Sequence, residues 1–197
     1  MKKARTAVLI SGRGSNMMAL VEAAKDPAYP AQIACVVSDR AGAAGIGFAQ
    51  ANGIDTAIIE RKDYADRNAF ERSLGNILRA AETQLIALAG FMRVLSAEFV
   101  SDWEGRMINI HPSLLPAYKG LHTHERALAD GAKTHGCTVH HVTAELDAGP
   151  IILQAEVPVL PDDTPETLST RVLKEEHRIY PEALAIVARS LQPNTSI

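Results

Sequence analysis

Cysteine is scarce in this sequence: 197 residues hold two, Cys35 and Cys137, each inside a β-like run. Both read as small buried hydrophobes in a reducing compartment, which excludes a disulfide scaffold. A basic stripe is also missing, because the net charge of -3 is spread over interspersed signs. Nucleic acid and anionic membranes are thereby excluded as main partners, and any phosphate site has to be local. No secretory leader is evident. Met1 to Arg5 is basic, but the apolar stretch Ala7 to Ile10 is too short for a signal core, so the segment reads as a strand. Metal-ligand patterns are absent as well: there is no His-Glu-x-x-His and no close cysteine pair, and His122 with His124 lacks regular ligand spacing, so no functional metal is expected. No repeat, low-complexity tract or linker interrupts the chain. These absences point to the cytoplasm.

What is present suits one ordinary domain over 1–197, with 47% hydrophobic and 22% charged residues. The first half, 1–100, alternates short β-branched runs with helix-like stretches. Strands are expected at Thr6 to Ile10, Ile33 to Val37 and Thr56 to Ile59, and helices at Asn16 to Ala24, Ala43 to Asn52 and Asp66 to Ala81. Phe70, Leu74, Ile77 and Leu78 form one apolar stripe on the third helix. Gly53 is a stop signal for the second. Leu85 to Ala89 is an unbroken apolar run, the mark of a strand buried on both faces of a parallel sheet. The pattern is α/β, a mostly parallel twisted sheet with a Rossmann-like first half and helices on both faces. Ligands in such sheets sit beyond the carboxyl ends of the strands.

The second half, 101–197, reads as mixed, with strands at Arg106 to Ile110, Cys137 to Thr143 and Ile151 to Val159 and some antiparallel pairing. Thr164, Pro165 and Glu166 open a long helix expected to run to about Tyr180. Pro181 should kink or restart it, with Leu184, Val187 and Leu191 continuing the stripe. The tail from Gln192 to Ile197 reads as loose.

Three segments carry chemistry. Ser11 to Asn16, with glycines at 12 and 14, follows the first strand and opens a helix, so main-chain N–H groups face a point where a phosphate can bind. A plain tight turn is the other reading. The third glycine of a dinucleotide fingerprint and the lysine of a P-loop are both missing, and a monophosphate fits better than either. Asn109 and His111 share one face of an extended segment while Ile108 and Ile110 face the other way. An amide donor beside an imidazole can bind a carbonyl oxygen as it becomes an oxyanion, which is acyl-transfer chemistry, although a structural hydrogen-bonded pair has the same pattern. Asp147 lies in a turn-rich segment. It either makes an ordinary Asx turn or orients the imidazole. His140 is either a core histidine or a fourth member of the group.

Taken in order, Ser11 to Asn16, Ala89 to Leu95, Asn109 to Pro116, His135 to His140 and Leu146 to Pro150 resemble the phosphoribosylglycinamide formyltransferase family, over nearly the whole chain from Val8 to Pro181. The resemblance implies formyl transfer from 10-formyltetrahydrofolate to the amine of glycinamide ribonucleotide, without a covalent enzyme intermediate, by a monomer or homodimer. It implies catalytic roles for Asn109, His111 and Asp147. Gly14, Ser15 and Asn16 would hold the ribonucleotide phosphate, and Leu173, Lys174, Glu175 and Glu176 its ribose and amine. Arg67, Met92, Arg93, Val94, Leu95 and Asn109 would line the folate pocket, with Thr143, Ala144, Glu145, Leu146 and Asp147 closing over the pterin. Residues 1–100 would be the phosphate-binding half and 101–197 the catalytic and folate-binding half. Arg13 and Ala148 depart from commoner family residues without touching the chemistry. Methionyl-tRNA formyltransferase shares the segment from Asn109 to Pro116 but carries an added carboxyl-terminal domain, for which about 50 residues after Asp147 leave little room. Formyltetrahydrofolate deformylase carries an extra amino-terminal domain. A nucleotide-binding module without turnover is the reading outside enzymes.

Overall fold

The computed structural model describes residues 3–191, so the reading of Gln192 to Ile197 as a loose tail and of Met1 and Lys2 as strand lies outside the described residues. Seven strands form one sheet in the order β3-β2-β1-β4-β5-β6-β7: β1 (Ala4–Ile10), β2 (Ala31–Ser38), β3 (Asp55–Ile58), β4 (Leu85–Leu88), β5 (Met107–His111), β6 (Thr134–His141) and β7 (Ile151–Pro158). The first five are parallel, and β6 and β7 are antiparallel to their neighbours. This is the mixed α/β sheet expected. Helices α1 (Ser15–Ala24), α2 (Ala44–Ala51), α3 (Arg67–Ala80), α4 (Ala97–Asp102), α5 (Thr123–Ala129) and α6 (Pro165–Ser190) complete the chain.

Alternation along the strands divides the core in two. Val8, Ile10, Val36, Ile108 and Ile110 pack with apolar residues of α1, α2 and α6 on one face. Ala7, Leu9, Val37, Ile86, Leu88 and Met107 pack with Phe70, Leu74 and Leu78 of α3 and Phe99 of α4 on the other. Asn109 and His111, two and four residues after Met107, share the α3 side by the same period-two rule. At the end of α2, Gly53 has φ 69°, and the N–H groups of Gly53 and Ile54 donate to the carbonyls of Gln50 and Ala49. Only a residue free of a Cβ takes that left-handed turn without strain, which is why the stop signal was legible.

The strand order reverses between β1 and β4, and the loops leaving these strands are tied together there. Ser11 N–H donates to the Gly90 carbonyl at 3.1 Å, and Met92 N–H to the Ser11 hydroxyl at 2.8 Å. Such a switch point opens a crevice at the carboxyl ends of the strands.

Two expectations need correction. The last helix does not stop or restart near Tyr180: α6 runs from Pro165 to Ser190 with Pro181 inside it. Its buried face continues through Ile179, Tyr180, Ala183, Leu184 and Val187, and that packing outweighs the one main-chain hydrogen bond a proline removes. The strand expected from Cys137 begins at Thr134. Gly136 concealed this, since glycine weakens a strand, but here a Cβ would run into the Ala155 carbonyl of β7. Helices α4 and α5 were not expected from the sequence. The start of α4 carries a signal in Ser96, whose hydroxyl accepts from Phe99 N–H.

Tyr180 anchors α6. It is fully buried, and its hydroxyl donates to the Leu88 carbonyl of β4 at 2.8 Å. Replacing Tyr180 with Phe removes this helix-to-sheet hydrogen bond, and should lower stability by about 0.5–1.5 kcal/mol. Urea denaturation checks it, and a change below a few tenths would show that the hydroxyl is not an anchor.

Candidate active site

Asn109, His111 and Asp147 converge at the carboxyl end of β5. Pairing with β6 sets Asn109 opposite His140 and His111 opposite Thr138. After β6 the chain folds back, and Gly149 passes so close to the His141 carbonyl that a Cβ there would overlap it. This return brings Asp147, buried and in a left-handed conformation at φ 48°, to the imidazole. Asp147 Oδ2 lies 3.4 Å from His111 Nδ1 and accepts from Gly120 N–H at 2.9 Å, while Oδ1 lies 3.8 Å from His140 Nε2. His111 Nε2 donates to the Tyr118 carbonyl at 3.0 Å. Both nitrogens of the His111 ring thus face acceptor atoms.

His140, left open by the sequence, belongs to this group. Its Nδ1 can only donate to the His141 carbonyl, at 2.9 Å, so in the neutral ring Nε2 is the acceptor. That atom lies 3.2 Å from Asn109 Nδ2, whose N–H it accepts. Burial pushes the His140 pKa down, with partial opposition from the His141 carbonyl and Asp147, and this keeps the ring neutral as the bond requires. The amide orientation of Asn109 is thereby settled, with one N–H of the group left to donate elsewhere.

The glycine loop ends at Gly14, which caps α1 with φ 73°. No side chain caps the helix, so its first main-chain N–H groups remain available to an anion. Ser15 and Asn16 form the first turn. Asn16 Nδ2 donates to Glu176 Oε2 at 2.6 Å, which joins two groups that the sequence reading had kept separate. Burial raises the Glu176 pKa above its ordinary 4.5, and the Asn16 bond opposes the shift. Of the other α6 residues, Leu173 is half-buried, Lys174 is exposed and Glu175 pairs with Arg178.

Arg67, the first residue of α3, meets the segment Met92 to Leu95 in a cavity of about 250 Å³ that Arg61, Phe70 and Glu71 complete. Met92 and Val94 are exposed, and Arg93 Nε donates to buried Asp39 at 2.6 Å. Thr143, Ala144, Glu145 and Leu146 form an exposed loop, tied to Lys119 through Glu145 at 3.0 Å. Two members of the site are main-chain groups, the Tyr118 carbonyl and the Gly120 amide, and no side-chain pattern could have announced them. Among the described residues, no group of three or more His, Cys, Asp or Glu could hold a metal ion, and no helix is long and apolar enough to cross a membrane.

An amide donor, an imidazole and a buried carboxylate at the mouth of a doubly wound sheet are the equipment of an acyl-transfer catalyst. The chain belongs to the formyl transferase family, whose model matches residues 4–184. It is 46% identical over 174 residues to phosphoribosylglycinamide formyltransferase of Escherichia coli K12, covering 88% of this chain and 82% of that protein. It is 50% identical over 187 residues to the human trifunctional purine biosynthetic protein adenosine-3, of which the chain spans 18% of the length. The crystal structure of phosphoribosylglycinamide formyltransferase from Brucella melitensis superposes with a TM-score of 0.92 at 53% identity, covering 95% of this chain and 96% of that one.

The raised pKa of Glu176 has a stability consequence with a definite sign. The folded state holds its proton to higher pH than the unfolded state does, so this contribution is complete below the unfolded pKa and is lost as pH rises through the folded one. Glu176→Gln should therefore match the wild type in stability near pH 4 and exceed it at pH 8. Urea midpoints at the two values test this, and a variant weaker than the wild type at pH 8 would reverse the assignment.

Proposed function

We propose that this chain transfers the formyl group of 10-formyltetrahydrofolate to the amine of N1-(5-phospho-D-ribosyl)glycinamide, releasing tetrahydrofolate in purine biosynthesis. The observation that carries the reading is the cluster of Asn109, His111, Asp147 and His140 at the carboxyl end of β5, on the same sheet edge as an uncapped helix N-terminus. Membership of the formyl transferase family and likeness to enzymes named for this reaction support it. We take the setting to be the cytoplasm and the active form a monomer or homodimer.

In this reading Gly14, Ser15 and Asn16 hold the phosphate, while Glu176, with Leu173, Lys174 and Glu175, receives the ribose and amine. Arg67 and Met92 to Leu95 take the folate. The cavity fits that task, since it combines apolar side chains for a ring system with guanidinium groups for carboxylates. Residues 143–147 close over the pterin. The amine nitrogen bonds to the formyl carbon, and the oxygen gains charge as its double bond opens. Asn109 Nδ2 donates its remaining N–H to that oxygen, and His111 Nε2–H, shared with the Tyr118 carbonyl, is the second donor. As the oxyanion collapses, the bond from carbon to the folate nitrogen breaks, and the proton lost by the amine passes to that nitrogen. Asp147 faces His111 Nδ1 and keeps the ring aligned. An oxyanion donor contributes about 3–4 kcal/mol of transition-state stabilisation, acid-base help about 10²–10⁴ in rate.

Purified protein should consume 10-formyltetrahydrofolate only when the ribonucleotide is supplied. Consumption without it would indicate a deformylase, and ligand binding with no turnover a binding module. Turnover should survive exhaustive chelation, and loss with a chelator followed by recovery with zinc would overturn the metal-free mechanism.

Asp147→Asn keeps an acceptor for the Gly120 amide but removes the charge. Its kcat should fall by about two orders of magnitude or more with ribonucleotide affinity nearly unchanged, because the lost interaction belongs to the transition state. If His111 and Asp147 act as a unit, adding His111→Ala should cost little beyond the worse single variant, whereas additive losses would separate their roles.

A further inference from the structure

His111 depends for its second hydrogen bond on a main-chain atom, the Tyr118 carbonyl, and Tyr118 has a left-handed backbone at φ 56°. A residue with a side chain keeps that conformation only where its surroundings over-determine it. Here the surroundings come from α5. Arg126 Nη1 donates to the carbonyls of Lys119 at 2.7 Å and Leu121 at 3.3 Å, on either side of Gly120. The same guanidinium lies over the Tyr118 ring, 5.5 Å from its centre. The Tyr118 ring in turn meets His135 edge to face, with centroids 5.8 Å apart, and His135 Nε2 lies 3.2 Å from His124 Nδ1.

One cation therefore grips residues 118, 119 and 121 together. Between them, Gly120 directs its N–H at Asp147. We propose that Arg126 is a positioning residue: by fixing the segment 118–121 it aims the Tyr118 carbonyl at His111 and the Gly120 amide at Asp147. Arg126 is exposed and touches neither His111 nor Asp147, so it acts only through this segment. The charged fork suits the task. It satisfies two carbonyls from one nitrogen while its flat face covers the aromatic ring, which a smaller neutral group cannot do at once.

The kinetic part of the test rests on the formyl-transfer reading, and the spectroscopic part does not. Arg126→Ala should lower kcat about tenfold, the size expected when reacting groups lose alignment, with KM for both substrates within about twofold of the wild type. Arg126→Lys, which retains a donor for the carbonyls and a cation near the ring, should recover most of the loss. The ¹⁵N resonance of His111 Nε2 should move in Arg126→Ala and return toward the wild-type position in Arg126→Lys. An unchanged kcat with an unmoved His111 resonance would overturn the proposal. So would equal kcat losses in both variants that follow a common fall in melting temperature, since that is the signature of a merely structural residue. A wild-type protein inactive with both substrates would sink the functional reading, while the resonance comparison would still decide for or against Arg126.

Discussion

A carboxylate taken out of water has to recover in hydrogen bonds and opposite charge what it loses in hydration, and Asp147, 9% exposed, is in that position. Much of the local architecture follows from this constraint. A main-chain amide, from Gly120, and the His111 imidazole meet its Oδ2, while the neutral His140 ring lies 3.8 Å from Oδ1 without donating to it. To deliver them, the chain after β5 must loop out and return, and the chain after β6 must double back over the sheet. The left-handed residues Tyr118, Gly120, His122 and Asp147 mark where those reversals occur. Unfavourable local geometry is spent where the charge is buried.

The two histidines beside Asp147 differ in kind. His140 is kept neutral by burial and serves as an acceptor that turns the Asn109 amide. His111 donates away from the carboxylate to a main-chain carbonyl and offers its other nitrogen to Asp147. Similar side chains within one small volume thus obtain opposite hydrogen-bonding duties from their neighbours.

The parallel half of the fold was legible because its strands are buried on both faces and its helices carry full apolar stripes, as in Leu85 to Leu88 and Phe70 to Leu78. Asn109 and His111 were legible as a pair because a strand's period of two fixes side-chain direction without any tertiary knowledge. Tertiary packing overrode local signals elsewhere. Pro181 sits inside a helix held by its buried face, and Gly136 sits inside a strand that has no room for a side chain there. The Asn16 to Glu176 bond was hidden for another reason, since 160 residues separate its partners and neither has a local pattern that names the other. Main-chain contributors such as the Gly120 amide have no letter of their own.

That same bond has a consequence for assembly in the cell. A chain leaving the ribosome presents β1 and the glycine loop early, yet Glu176 follows only after every strand has been made. The glycine loop is made before the residue that completes its hydrogen bonding. Until α6 docks, Asn16 lacks its carboxylate partner and the apolar face of α1 lacks part of its cover. A nascent chain stalled before α6 would therefore display the glycine loop without its counterpart and an open greasy surface, the kind of intermediate that chaperones hold.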